Sequence, residues 1–121
     1  MLFTISLTNN KDFVRLYKNG RYVNSKECVV YFAKNKLPFN RLGLTTSKKI
    51  GNAVLRNRAR RVMRAAYQQT EILFPVGYDI VIVARTDAGS VKSDVIKDFF
   101  ISRVVKSINK GEKNCQKSEK V

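Results

Sequence analysis

The stretch KKIGNAVLRNRARRVMR, residues 48–64, holds seven Lys and Arg and no Asp or Glu. Cations at this density neutralise phosphates and release condensed counterions, each contact adding roughly 0.7 to 0.9 to the slope of log affinity against log salt. Five of the seven are Arg, whose planar guanidinium forks onto phosphate oxygens. Gly51 and Asn52 allow a tight turn ahead of a helix, whose free N–H groups would then face anions near Lys48 and Lys49. The plain alternative is a solvated surface helix, but the segment offers no acid to pair at i, i+4.

Bond-breaking chemistry has little to draw on. There is no His, which removes the commonest general base and metal ligand. Cys28 lies in an apolar run and Cys115 in a polar tail, which argues against a disulfide and for a reduced, cytosolic setting. No phosphate-cradling or nucleophile-elbow motif is present. Metal-dependent phosphodiester cleavage wants clustered carboxylates, whereas the nine acids are scattered. Asp94 and Asp98 form an i, i+4 pair that reads as helix-surface charge. Judged by its residues, the chain binds, and its own side chains break no bond.

The charge favours a polyanionic partner over a merely soluble basic protein. Twenty-four basic residues against nine acidic give a net charge of +15 over 121 residues, a balance that suits nucleic acid, an anionic membrane surface or an acidic protein. The start, MLFTISLTNN, has no basic region of a signal peptide, and no apolar run approaches the ~18 residues of a membrane span. A basic helix does not choose between DNA and RNA. Phe13, Tyr17 and Tyr31 are rings on which unpaired bases could stack, although each taken singly reads as well as a core residue.

The elements that must position these residues follow from periodicity. Thr8 to Asn10 supply helix caps, and KDFVRLYKNG reads as a short helix ended by Gly20, with Phe13, Leu16 and Tyr17 on one face. ECVVYFA, 27–33, is a strand with Cys28, Val30 and Phe32 on one face and Val29, Tyr31 and Ala33 on the other. Residues 35–40 read as a loop. RLGLTTS, 41–47, is a strand with Leu42, Leu44 and Thr46 facing the core and a small, polar working face of Arg41, Gly43, Thr45 and Ser47. The basic helix is expected over 53–70. Leu55, Ala59, Val62 and Ala66 form its core stripe at about 100° per residue, with Met63 at the margin. YDIVIVA, 78–84, reads as a central strand. After a turn at 87–90, Ser90 or Ser93 would cap a last helix to about Asn109, its apolar face holding Val95, Ile96, Phe99, Phe100 and Val104. A short strand is possible near 21–24. The composition and order give one α/β domain over residues 1–109, a small mixed sheet packed against helices, and a basic, polar, disordered tail over 110–121.

The unbroken block GLTTSKKIGNAVLRNRARR resembles the signature of the bacterial ribonuclease P protein subunit, whose hallmark Arg-Asn-Arg falls on Arg56, Asn57 and Arg58. LTNNKDFVRLYKNG, VVYFA and YDIVIVAR extend the likeness over about residues 7 to 106. The resemblance implies an α-β-β-β-α-β-α sandwich like certain ribosomal proteins, with a left-handed βαβ crossover, against the usual hand. It implies as partners the catalytic RNA of ribonuclease P and precursor tRNA, with no membrane or protein partner. That RNA, with Mg²⁺ held mainly by itself, removes the 5′ leader of precursor tRNA in the cytoplasm. Matching residues place catalytic-RNA contacts at Lys48, Lys49, Asn52, Arg56, Asn57, Arg58, Arg60, Arg61 and Arg64. They place a leader cleft at Phe13, Tyr17, Tyr31 and Thr45, with Lys49 and Arg56 at its edge, and neither a catalytic nor a metal-binding residue on the protein. Tyr17 stands where phenylalanine is frequent, and Thr45 where serine is common. The alternative reading is a structural RNA-binding protein of ribosomal type.

Overall fold

A computed structural model describes residues 2–47, 50, 52–85 and 92–110. Lys48, Lys49, Gly51, the 87–90 turn with the Ser90 cap, Cys115 and the tail beyond Lys110 lie outside the described residues.

The chain runs β1 (Thr4–Ser6), α1 (Asn10–Asn19), β2 (Arg21–Asn24), β3 (Cys28–Lys34), β4 (Asn40–Thr46), α2 (Ala53–Thr70), a 3₁₀ turn (Glu71–Leu73), β5 (Tyr78–Ala84) and α3 (Ser93–Phe99). The last helix continues through a π-type stretch, Phe100–Val105, and on to residue 110. The five strands form one sheet in the order β1-β4-β5-β3-β2. β1, β4 and β5 are parallel, and β3 and β2 are antiparallel to their neighbours. The crossover β4-α2-β5 therefore joins adjacent parallel strands. This is a mixed α+β fold, with the expected order preceded by one strand, β1.

Local chemistry sets the element ends. Asn9 caps α1, its Oδ1 accepting from the N–H of Lys11 at 2.9 Å, and Asp12 favours the positive end of the helix. Gly20 ends the helix without left-handed backbone. What requires glycine there is crowding, since a Cβ would lie 2.6 Å from the carbonyl oxygen of Leu16. Asn52 caps α2 by accepting from the N–H of Leu55 at 3.0 Å. Gly77 has φ +98°, which a side chain would strain.

One sheet face is closed. Val30, Phe32, Leu42, Ile80 and Ile82 pack against Ala59, Met63, Ala66 and Tyr67 of α2 and Ile96, Phe100, Val104 and Ile108 of the last helix. The stripe of α2 is rotated from the expected one. Leu55 is 44% exposed, while Tyr67 and Thr70 are buried. In the first turn of α2 Val54 and Leu55 are both exposed, and the buried stripe starts only at Ala59. Val95 likewise is 43% exposed, and Ser93 starts the last helix rather than capping it.

The other face is only partly closed. α1 lies over β3 and β5, where Leu16 and Leu7 pack on Val81, with Phe13, Tyr31, Ala33 and Val83 partly buried around them.

Candidate RNA interface

Strand register places the working face. Tyr31 of β3 sits opposite Val81 of β5, which sits opposite Gly43 of β4. One step along, Val29, Val83 and Thr45 align the same way. Tyr31 and Thr45 therefore share a sheet face, as expected, and α1 brings Phe13 and Tyr17 onto it. The Tyr17 and Tyr31 rings meet edge to face at 5.0 Å, and Phe13 lies 6.4 Å from Tyr17. Tyr22, which sequence reasoning left out, extends the row 5.7 Å beyond Tyr31, and it stands opposite Tyr31 in the β2–β3 register. The short strand at 21–24 carries the signal, since its pairing with 28–34 aligns the two tyrosines. Burial and the neighbouring Tyr31 push the Tyr17 phenol up, so it stays a neutral hydrogen-bond donor at physiological pH.

Phe13 sits close because β4 carries glycine beneath it. A Cβ at Gly43 would lie 2.5 Å from Phe13 Cζ, so any side chain there would lift the ring off the sheet. The face expected to be small and polar is small for this reason.

A buried ionic network fixes α1 over the sheet. Asp79 is fully buried at the start of β5. Its carboxylate accepts from Arg41 Nε at 2.7 Å and Nη2 at 2.6 Å, from Arg15 Nη2 at 2.7 Å and from Asn35 Nδ2 at 3.0 Å. Asp12 of α1 reaches both arginines at 3.3 Å. Burial alone would raise the Asp79 pKa, but these donors, Arg41 above all, outweigh it and hold it below the usual carboxylate range. Sequence reasoning saw only an apolar strand here. The warning was the Asp itself, since an acid in a buried strand requires a cationic partner. On the far edge, Glu71 does similar work: it accepts from the N–H groups of Leu2 and Phe3 and from Thr4 Oγ1, tying β1 down.

The cationic ridge stands on α2. Arg58, Arg61 and Arg64 are exposed, and Arg56 and Arg60 are half-buried. Among the described residues none of the five forms an ion pair with a carboxylate; the ion pairs present join Arg15 and Arg41 to Asp12 and Asp79. Asn57 is exposed and accepts from Arg60 Nη1 at 3.1 Å. Asn52 has committed its side-chain oxygen to the cap. Arg60 and Arg64 line a groove against β1 with Thr4, Ser6 and Thr8. Arg56 lies in the first turn of α2, after the segment that carries Lys49. The structure thus groups Phe13, Tyr17 and Tyr31, sets Thr45 on their face, and gathers the arginines on a separate element.

No group of three or more His, Cys, Asp or Glu among the described residues is placed to hold a metal ion. Cys28 is buried, which pushes its thiol up to about 12 and keeps it out of thiolate chemistry. No helix among the described residues is long and apolar enough to cross a membrane.

Comparison with known proteins gives one answer. The ribonuclease P family model matches residues 3–108. The ribonuclease P protein component of Lachnoclostridium phytofermentans is 47% identical over 85 residues, covering 70% of this chain and 72% of the relative. That of Clostridioides difficile is 39% identical over 109 residues, covering 88% and 90%. Among solved structures, the Staphylococcus aureus RNase P protein superposes with a TM-score of 0.68 at 36% identity over 77% of this chain and 85% of that one. The Thermotoga maritima protein gives 0.70 at 27% identity over 79% and 91%. An arginine-rich helix, an aromatic sheet face and a match along nearly the whole fold together place this chain in the ribonuclease P protein component family.

Proposed function

We propose that the chain is the protein subunit of a ribonuclease P ribonucleoprotein that binds both the catalytic RNA and the 5′ leader of precursor tRNA. The observation that carries this reading is the separation of two RNA-binding chemistries on one small domain. Arginines with no carboxylate partner among the described residues suit the phosphates of a folded RNA. The row of rings on the open sheet face suits unpaired bases, which a leader has and a mature tRNA lacks at that end. Catalytic-RNA contact is assigned to Arg56, Asn57, Arg58, Arg60, Arg61 and Arg64, with Lys48, Lys49 and Asn52 at the helix entrance. The leader is assigned to Phe13, Tyr17, Tyr31 and Thr45, with Lys49 and Arg56 at the cleft edge. Hydrolysis belongs to the RNA and its Mg²⁺ ions, in the cytoplasm; the protein's share is to hold the leader and screen phosphate repulsion. A structural RNA-binding protein of ribosomal type would have no use for a row of rings on this open face.

Tyr31→Ala tests the assignment. Loss of one stacked base costs about 1 to 3 kcal/mol, or roughly 5- to 150-fold in affinity. In the reconstituted holoenzyme, precursor tRNA should weaken by that factor and mature tRNA should not change. Equal effects on the two ligands, or none on either, would contradict the leader assignment.

A further inference from the structure

The row of rings does not stop at Tyr31. Tyr22 stands on β2, the last strand at one edge of the sheet, and is 61% exposed while its ring touches Tyr31. The sheet edge is open there. Around it runs a groove of about 400 Å³ lined by Tyr22, Val23 and Asn24 on one side and by Arg103, Lys106, Ser107 and Lys110 on the other. The three cations fall at i, i+3 and i+7 of the last helix, so they form one stripe facing the strand. All three are exposed, and no carboxylate lines the groove among the described residues. This stripe is distant in sequence from the arginines of α2, and its groove borders β2, at the opposite sheet edge from the groove that Arg60 and Arg64 share with β1.

We infer that this groove is a second subsite for single-stranded RNA, taking the part of the leader upstream of the nucleotides in the cleft: Tyr22 stacks a base at the sheet edge, and Arg103, Lys106 and Lys110 hold the phosphates that follow. The inference rests on the proposed leader cleft and extends it. A chain stacked on Tyr31 meets Tyr22 one strand further on, about 4.8 Å away in the pairing direction, and then rounds the sheet edge to the cations of the last helix, which packs on the other face. Rings followed by a cationic track are what a sequence-tolerant single-strand path requires. An acidic peptide could pair with the strand edge, but it would leave the exposed ring beside the groove without a role.

The test compares precursors with leaders of increasing length, bound to the holoenzyme carrying wild-type protein, Arg103→Gln/Lys106→Gln/Lys110→Gln, Tyr22→Ala or Tyr31→Ala. These three cations and Tyr22 are exposed, so the variants keep the core; circular dichroism and affinity for the catalytic RNA confirm it. Wild type should gain affinity as the leader grows past the cleft. The triple variant should lose that gain, about fivefold or more, and shed roughly 2 to 3 from the salt slope with long leaders. Tyr22→Ala should lose about fivefold on long leaders. Both should match wild type on short leaders, where Tyr31→Ala is already weak. If the triple variant and Tyr22→Ala follow wild type at every length while Tyr31→Ala weakens, the subsite is overturned and the cleft stands. If Tyr31→Ala is also silent, the cleft itself has failed. A loss that is the same for long leaders, short leaders and mature tRNA would assign the stripe to the catalytic RNA and overturn the inference as well.

Discussion

Asp79→Ala should cost about 3 kcal/mol of stability, read as a fall in melting temperature of roughly 10 °C. The fully buried carboxylate takes four hydrogen bonds, two of them from Arg41. Removing it leaves the Arg41 guanidinium, 23% exposed, with only Asp12 at 3.3 Å. Breaking one side of a buried pair is far more costly than losing an exposed one. Arg15→Ala, at a residue 49% exposed, should therefore cost 1 kcal/mol or less. The network also predicts pH dependence. The folded-state pKa of Asp79 is lowered, so its contribution is present above the ordinary carboxylate range near pH 4 and is lost as pH falls through the lower, folded value. Glu71 is lowered too, its hydrogen bonds from Thr4, Leu2 and Phe3 outweighing burial, so it adds to the same acid loss. Asp79→Asn should flatten that loss in part, with Glu71 supplying the remainder. Thermal melts from pH 7 down to pH 3 would check both claims. Equal stability of Asp79→Ala and wild type would show that the network does not hold α1 in place.

Arg58→Gln/Arg61→Gln/Arg64→Gln should weaken binding to the catalytic RNA by about a hundredfold at near-physiological salt and lower the salt slope by roughly 2 to 3. The same substitutions should stabilise the free protein slightly. Like charges at i, i+3 on a helix each cost about 0.2 to 0.5 kcal/mol, and Arg58, Arg61 and Arg64 stand at that spacing with no carboxylate partner among the described residues. Opposite signs for stability and affinity separate a binding surface from a structural one. Titration of the RNA across a salt series, beside a melt of the free variant, gives both readings; a variant that binds as wild type would remove the ridge from the interface.

Where signals are local, the sequence was legible. The bounds of α2 follow from its cap at Asn52 and its 3.6-residue period; strand parity allowed Tyr31 and Thr45 one face, and the register of β3, β5 and β4 put them there. The phase of the α2 stripe was not legible at its start, because Leu55 has the right period but is exposed, and whether a periodic residue is covered depends on its tertiary neighbours. β1 was missed because three residues, Thr4–Ser6, are too few to show alternation, and its place depends on pairing with β4 and on Glu71 far along the chain. The Asp79 network was hidden for a related reason: Asp12, Arg15, Asn35 and Arg41 reach it only through the register of β4 and β5 and the packing of α1. Tyr22 required both a weak strand and its pairing. Local chemistry thus marked the cationic and aromatic candidates, while long-range register decided which of them stand together. Lys48 and Lys49 lie outside the described residues, and their proposed role rests on the charge of the segment and its likeness to the family motif.

The central claim is that this protein binds while an RNA cuts. The direct measurement is reconstitution: the protein, a bacterial ribonuclease P RNA and 5′-labelled precursor tRNA at low, near-physiological Mg²⁺, with each component also tested alone. The account predicts cleavage at the mature 5′ end only when protein and RNA are both present. Cleavage by the protein alone, or a mixture no more active than the RNA by itself, would contradict it.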